Sequence, residues 1–139
     1  MIDIDNQTNY NINGPLLEKI ICDLTQKDIE LIVTNNEEIR TINKIYRSID
    51  KATDVLSFPY EEMPMAPLGS IVISIDYVYN RSKELGHGED DEFALLFIHG
   101  LLHLLGYDHE CDNGEMRQKE EELITKFHLP KSLIVRTEG

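Results

Sequence analysis

Apolar and polar residues alternate at the start of the chain, where Ile2 and Ile4 flank Asp3, and the pattern predicts a short strand at 2–4. A helix is expected over 15–23, with Pro15 suited to its first turn. The apolar run at 29–33 reads as a strand. Ile39, Ile42 and Ile45 recur at helical spacing, giving a helix through 46 that Asn36 is placed to cap. A strand at 54–58 is stopped by Pro59, and a loop holding Pro64 and Pro67 leads to another at 70–75. Asp76 is placed to cap the next helix, which Gly86 ends. The longest helix is predicted over 89–105, with Glu89, Asp90, Asp91 and Glu92 favourable at its positive end. A last helix covers 113–127 and stops before Pro130. Strands and helices mix without a regular βαβ alternation. The expected class is α+β: one compact domain, spanning 1–139, with a small mixed sheet packed by several helices.

Composition narrows the setting more than the chemistry. With 41% hydrophobic residues, the 139-residue chain can bury a core without disulfide staples. Its two cysteines, Cys22 and Cys111, form no CxxC pair, which favours a reducing compartment. Met1-Ile2-Asp3-Ile4-Asp5 has no basic leader region, and the apolar stretch at 93–105 is too short to span a bilayer. A cytoplasmic protein away from membranes is expected. Thirteen Lys and Arg face 26 Asp and Glu, a formal charge of −13. Such a surface repels nucleic acid at long range, so any nucleic-acid function requires a local basic site or a partner.

The chemistry lies in His99-Gly100-Leu101-Leu102-His103-Leu104-Leu105-Gly106-Tyr107-Asp108-His109. Residues four apart share one helix face, so His99 and His103 can offer two imidazoles to one ion. Gly106 can end the helix in a left-handed conformation, and the returning chain can bring His109 to the same ion. Three neutral imidazoles leave a fourth tetrahedral position for water, the arrangement of a catalytic zinc site. Zinc lowers the pKa of such a water to about 7. The competing reading makes His99 and His103 hydrogen-bonded core histidines, but it leaves the glycine and the third histidine without a purpose. The spacing is that of zinc peptidases, yet the glutamate that follows their first histidine is Gly100 here. A mid-helix glycine then points to close packing or an open path to the metal. Asp108 and Glu110 are nearby carboxylates that could act as base or orient a ligand. Cys111 is a weaker fourth-ligand candidate.

The histidine block fits HGxLHLxGYDH, the signature of the YbeY family of rRNA maturation factors, at every specified position. Thr53-Asp54-Val55-Leu56-Ser57-Phe58-Pro59 is similar to the family's PTDVLSFP, with Ala52 in place of the leading proline. Leu68-Gly69-Ser70-Ile71-Val72-Ile73-Ser74 resembles LGDIxIS, with Ser70 in place of aspartate. The resemblance implies a zinc-dependent, single-strand-specific endoribonuclease, with one zinc per chain on His99, His103 and His109. It also implies small-subunit rRNA maturation, ribosome quality control, and association with the small subunit and its assembly factors. No DNA or membrane partner is implied. The Ser70 departure bears on any partner contact made there.

The family's cleft arginine falls on Arg47, in Lys44-Ile45-Tyr46-Arg47-Ser48-Ile49-Asp50-Lys51, a segment where bases outnumber acids. A guanidinium can grip a phosphate through two parallel hydrogen bonds and stabilise charge developing on it. Without the resemblance, a helix-end arginine complementing the helix dipole serves equally well. His87 and His128 read as surface residues, and Phe93, Leu96 and Phe97 as core rather than a base-stacking platform. Two other readings stay open: a peptidase-like zinc hydrolase, which Gly100 disfavours, and a non-catalytic assembly factor with structural zinc.

Overall fold

The computed structural model describes residues 1–61, 65–108 and 113–130. In chain order these are β1 (Ile2–Asn6), α1 (Gly14–Leu24), β2 (Ile29–Thr34), α2 (Asn36–Arg47), β3 (Val55–Pro59), β4 (Gly69–Ser74), α3 (Ile75–Leu85), α4 (Glu89–Leu104) and α5 (Glu115–Lys126). The four strands form one sheet in the order β1-β2-β4-β3. β1, β2 and β4 run parallel, with Ile2 opposite Ile29 and Ile29 opposite Gly69. β3 is antiparallel to β4, Ser57 facing Ile71. Parallel neighbours need crossovers, which α1 supplies between β1 and β2, and α2 with β3 between β2 and β4. The class is α+β, as expected.

Side chains alternate across the sheet and divide the core in two. Leu31, Val33, Ile71 and Ile73 meet α1 and α4 on one face, where Phe93, Leu96, Phe97 and Leu101 supply most of the helix surface. Ile32, Leu56 and Val72 meet Ile39 and Ile42 of α2 on the other. Phe93, Leu96 and Phe97 are therefore core. Ile45, expected on the buried stripe of α2, is 67% exposed.

Helix ends follow local chemistry, with two corrections. Asn13 caps α1 by accepting from Leu16 N, and Pro15 sits in its first turn. The cap of α2 is Asn35, which accepts from Glu38 N at 2.9 Å, and Asn36 is already helical. Asp76 does not cap its own helix: its Oδ2 accepts from Asn36 N at 2.8 Å. Ser74 Oγ donates to Asn36 Oδ1 at 2.6 Å, so the N-termini of α2 and α3 are tied together at one end of the sheet. Gly86 ends α3 in the left-handed conformation.

His128 is exposed, but His87 is not a surface residue. Its side chain is 4% exposed and bonds through Nε2 to Glu92 Oε1 at 2.9 Å, while Glu92 is fully buried. The left-handed turn at Gly86 folds His87 back against the first turn of α4. Tyr10 is also buried, stacked on Phe93 with ring centroids 5.1 Å apart, and its hydroxyl donates to Asp90. No helix among the described residues is long and apolar enough to cross a membrane.

Burial, reinforced by the bond to Asp90 and by nearby negative charge, pushes the Tyr10 hydroxyl far above its ordinary value of 10.0. The folded value is the raised one, so this contribution is intact below about pH 10 and is lost as pH rises further. Denaturant midpoints followed from neutral to alkaline pH should fall more steeply above about pH 10 in the wild type than in Tyr10→Phe. Parallel curves would show that the phenol does not couple to folding.

Candidate active site

α4 is the most buried helix of the fold. From Glu92 to Leu104 every residue is buried except His99 and His103. The two histidines are thus the only breaks in an otherwise dry cylinder, and both open on one side. What holds the helix so close to the sheet is Gly100. A Cβ there would lie 3.0 Å from Ile71 Cγ2, 3.2 Å from Ser57 Oγ and 3.2 Å from Val55 Cγ2. Ser57 Oγ donates to the Gly100 carbonyl at 3.0 Å, across the same contact. Of the two roles open to this glycine, the structure supports close packing.

The imidazoles of His99 and His103 stand edge to face, with centroids 4.6 Å apart and an interplanar angle of 81°. Their Nε2 atoms are 3.1 Å from each other. His99 Nδ1 bonds to Glu120 Oε1 at 3.0 Å, so the carboxylate holds the proton on Nδ1 and leaves the Nε2 lone pair facing His103. Zinc–nitrogen bonds of about 2.0–2.1 Å in a tetrahedral site separate neighbouring nitrogens by about 3.3–3.4 Å. The observed pair is within a few tenths of an ångström of that spacing. Two imidazoles oriented in this way, one backed by a carboxylate, fit a divalent metal.

Sequence reasoning missed Glu120. It lies on α5, is 5% exposed, and shares the buried stripe of Met116, Leu123 and Ile124. That spacing was the available signal: one acid of a glutamate-rich helix falls on its apolar face.

α4 ends as expected. Gly106 has φ 99°, Gly106 N donates to His103 O and Tyr107 N to Leu102 O, the paired bonds of a Schellman turn. Asp108 follows, exposed. His109, the third candidate ligand, lies outside the described residues, as do Glu110 and Cys111. Among the described residues no cluster of three metal-binding side chains occurs. Arg47 is the last residue of α2 and is exposed. The structure brings His99 and His103 together; Arg47 lies on the helix that covers the other face of the sheet, beside the edge strand β3.

Fold and site together define an α+β domain with a carboxylate-backed histidine pair on its most buried helix. The chain belongs to the YbeY endoribonuclease family, whose model, described as Endoribonuclease YbeY, matches residues 4–128. Relatives named Endoribonuclease YbeY include one from Sulfurimonas denitrificans, 63% identical over 139 residues and covering 100% of both chains. Another, from Nautilia profundicola, is 63% identical over 99% of each chain. A third, from Helicobacter pylori, is 55% identical over 99% of each. The solution structure of a Thermotoga maritima protein superposes with a TM-score of 0.63 at 27% identity, covering 91% of this chain and 89% of that one.

The packing at Gly100 is testable. Restoring a peptidase-like glutamate, Gly100→Glu, drives a longer, charged side chain into Ile71, Ser57 and Val55. Overpacking and burial of an unpaired charge should together cost about 3 kcal/mol or more, read as a large drop in thermal midpoint without any gain of peptidase activity. A stable Gly100→Glu protein would show that the α4–sheet contact is looser than described.

Proposed function

We propose that this chain is a zinc-dependent endoribonuclease, specific for single strands, that acts in the cytoplasm on small-subunit ribosomal RNA during maturation and quality control. Membership of the YbeY family supports the nuclease class. The observation that carries the metal is the 3.1 Å approach of the two Nε2 atoms with Glu120 behind His99. His99, His103 and His109 would hold the ion. Zinc held there would supply Lewis acidity for phosphodiester hydrolysis near neutral pH.

The remaining work falls to the chain's own groups. Glu120 orients His99 and keeps its Nε2 free of a proton, so the donor is ready for a cation. The leucines around the histidines exclude water from all but one side of the pair. Arg47 binds the substrate phosphate and stabilises the charge that develops as the phosphodiester opens. Gly100 leaves no carboxylate beside the first histidine, and the tight contact there explains why none fits; this disfavours peptide hydrolysis. With a charge of −13, few phosphates are neutralised on binding, and the small ribosomal subunit or an assembly factor raises the local concentration of substrate.

The test is elemental analysis and cleavage of ribosomal RNA by the same purified preparations. Wild type should carry about one zinc per chain and His103→Ala much less, and Glu120→Gln should bind zinc about 10–100-fold more weakly. His99→Ala should be inactive, which controls for contaminating nuclease. Arg47→Ala should keep zinc and thermal stability while cleavage falls by about a hundredfold or more. Equal metal in wild type and His103→Ala would remove the histidine site; wild-type cleavage by Arg47→Ala would remove the arginine's role.

A further inference from the structure

Three of the eight exposed large hydrophobic residues among the described ones cluster at the C-terminal end of α2 and just beyond it. Tyr46 is 72% exposed, Ile45 67% and Ile49 45%, all within five residues. Contiguous apolar exposure of this kind marks a contact surface. Behind Tyr46 stands Phe58 of β3, edge to face at 5.7 Å and 60°, so the tyrosine ring is braced while most of it meets solvent. The same segment reverses the charge of the chain. Its bases are Lys44, Arg47 and Lys51; its one acid, Asp50, bonds to Arg40 Nε at 2.7 Å. Arg47 and Lys51 have no ion-pair partner among the described residues.

We propose that Tyr46, braced by Phe58 and flanked by Lys44, Arg47 and Lys51, is a base-stacking platform for single-stranded RNA. This rests on the endoribonuclease reading and names how that site selects a single strand. An aromatic face takes any unpaired base, and bases inside a duplex cannot reach it. Nearby cations hold the phosphates on either side. The location links the platform to the histidines, because β3 is an edge strand and consecutive residues of it serve the two surfaces. Ser57 bonds to Gly100, the neighbour of His99, while Phe58 backs Tyr46. One strand of RNA crossing this edge could lie on Tyr46 and reach toward the histidines.

The experiment is equilibrium binding of the full chain, with chelator present to prevent cleavage, to a labelled single-stranded RNA of about ten nucleotides and to its duplex. Tyr46→Ala should bind the single strand about tenfold more weakly, with a thermal midpoint lowered by only a few degrees because the edge contact with Phe58 is all the fold loses. Tyr46→Phe should bind within about twofold of wild type, because the ring and not the hydroxyl does the stacking. Tyr46→Leu should resemble alanine. Wild-type binding that Tyr46→Ala leaves intact overturns the platform alone. Wild-type affinity in Tyr46→Leu also overturns it, and points to an apolar protein contact. If the wild type binds neither RNA, the platform is overturned, and the endoribonuclease reading is judged separately by cleavage of ribosomal RNA with the metal-loaded chain.

Discussion

The close approach of α4 to the sheet at Gly100 governs the rest of the site. With only hydrogen at that Cα, the helix sinks onto Ile71 and Val55, and Ser57 fastens it through the Gly100 carbonyl. The consequence is that eleven of the thirteen residues from Glu92 to Leu104 are sealed, and the two that are not are His99 and His103. Their helical spacing puts the rings on one side; the depth of the helix makes their surroundings apolar; α5, packed on the same helix, adds Glu120. A carboxylate next to an imidazole in such surroundings orients it far more firmly than the same pair would in water.

Much of the architecture was legible in the sequence because period and punctuation agree. Each strand and helix was found within a few residues, since Pro15, Pro59, Gly86 and Gly106 stand where backbone geometry demands them. Errors arose where a side chain serves an element other than its own. Asp76 looks like the cap of α3 and instead holds the first turn of α2. His87 looks like a surface residue of a polar turn, yet its side chain is buried against Glu92. Ile45 completes a helical stripe on paper, but it lies outside the core.

The candidate site divides in the same way. The histidine pair was readable because both members lie on one helix, so spacing alone brings them together. Glu120 was not, because its meeting with His99 depends on how two helices pack, which no local pattern encodes. Tyr46 was not singled out either, because a tyrosine at a helix end carries no periodic signal; its exposure and its contact with Phe58 follow from how α2 sits on β3. In a chain so acidic, placing the exposed aromatic and the basic side chains together gives nucleic acid one small area of welcome in a surface that otherwise repels it.

Among the described residues, the order β1-β2-β4-β3 leaves two strands with an open side, and an open side invites another strand. β1 answers with acids, Asp3 and Asp5, exposed between its isoleucines. β3 answers with brevity and with Pro59, which has no amide hydrogen to donate, at its end. Neither margin offers the long, flat, uncharged ribbon on which copies of a chain stack into aggregates. The fold can therefore hold a largely parallel sheet, slow to assemble because its partners are distant in sequence, without its margins recruiting neighbouring chains in a crowded solution.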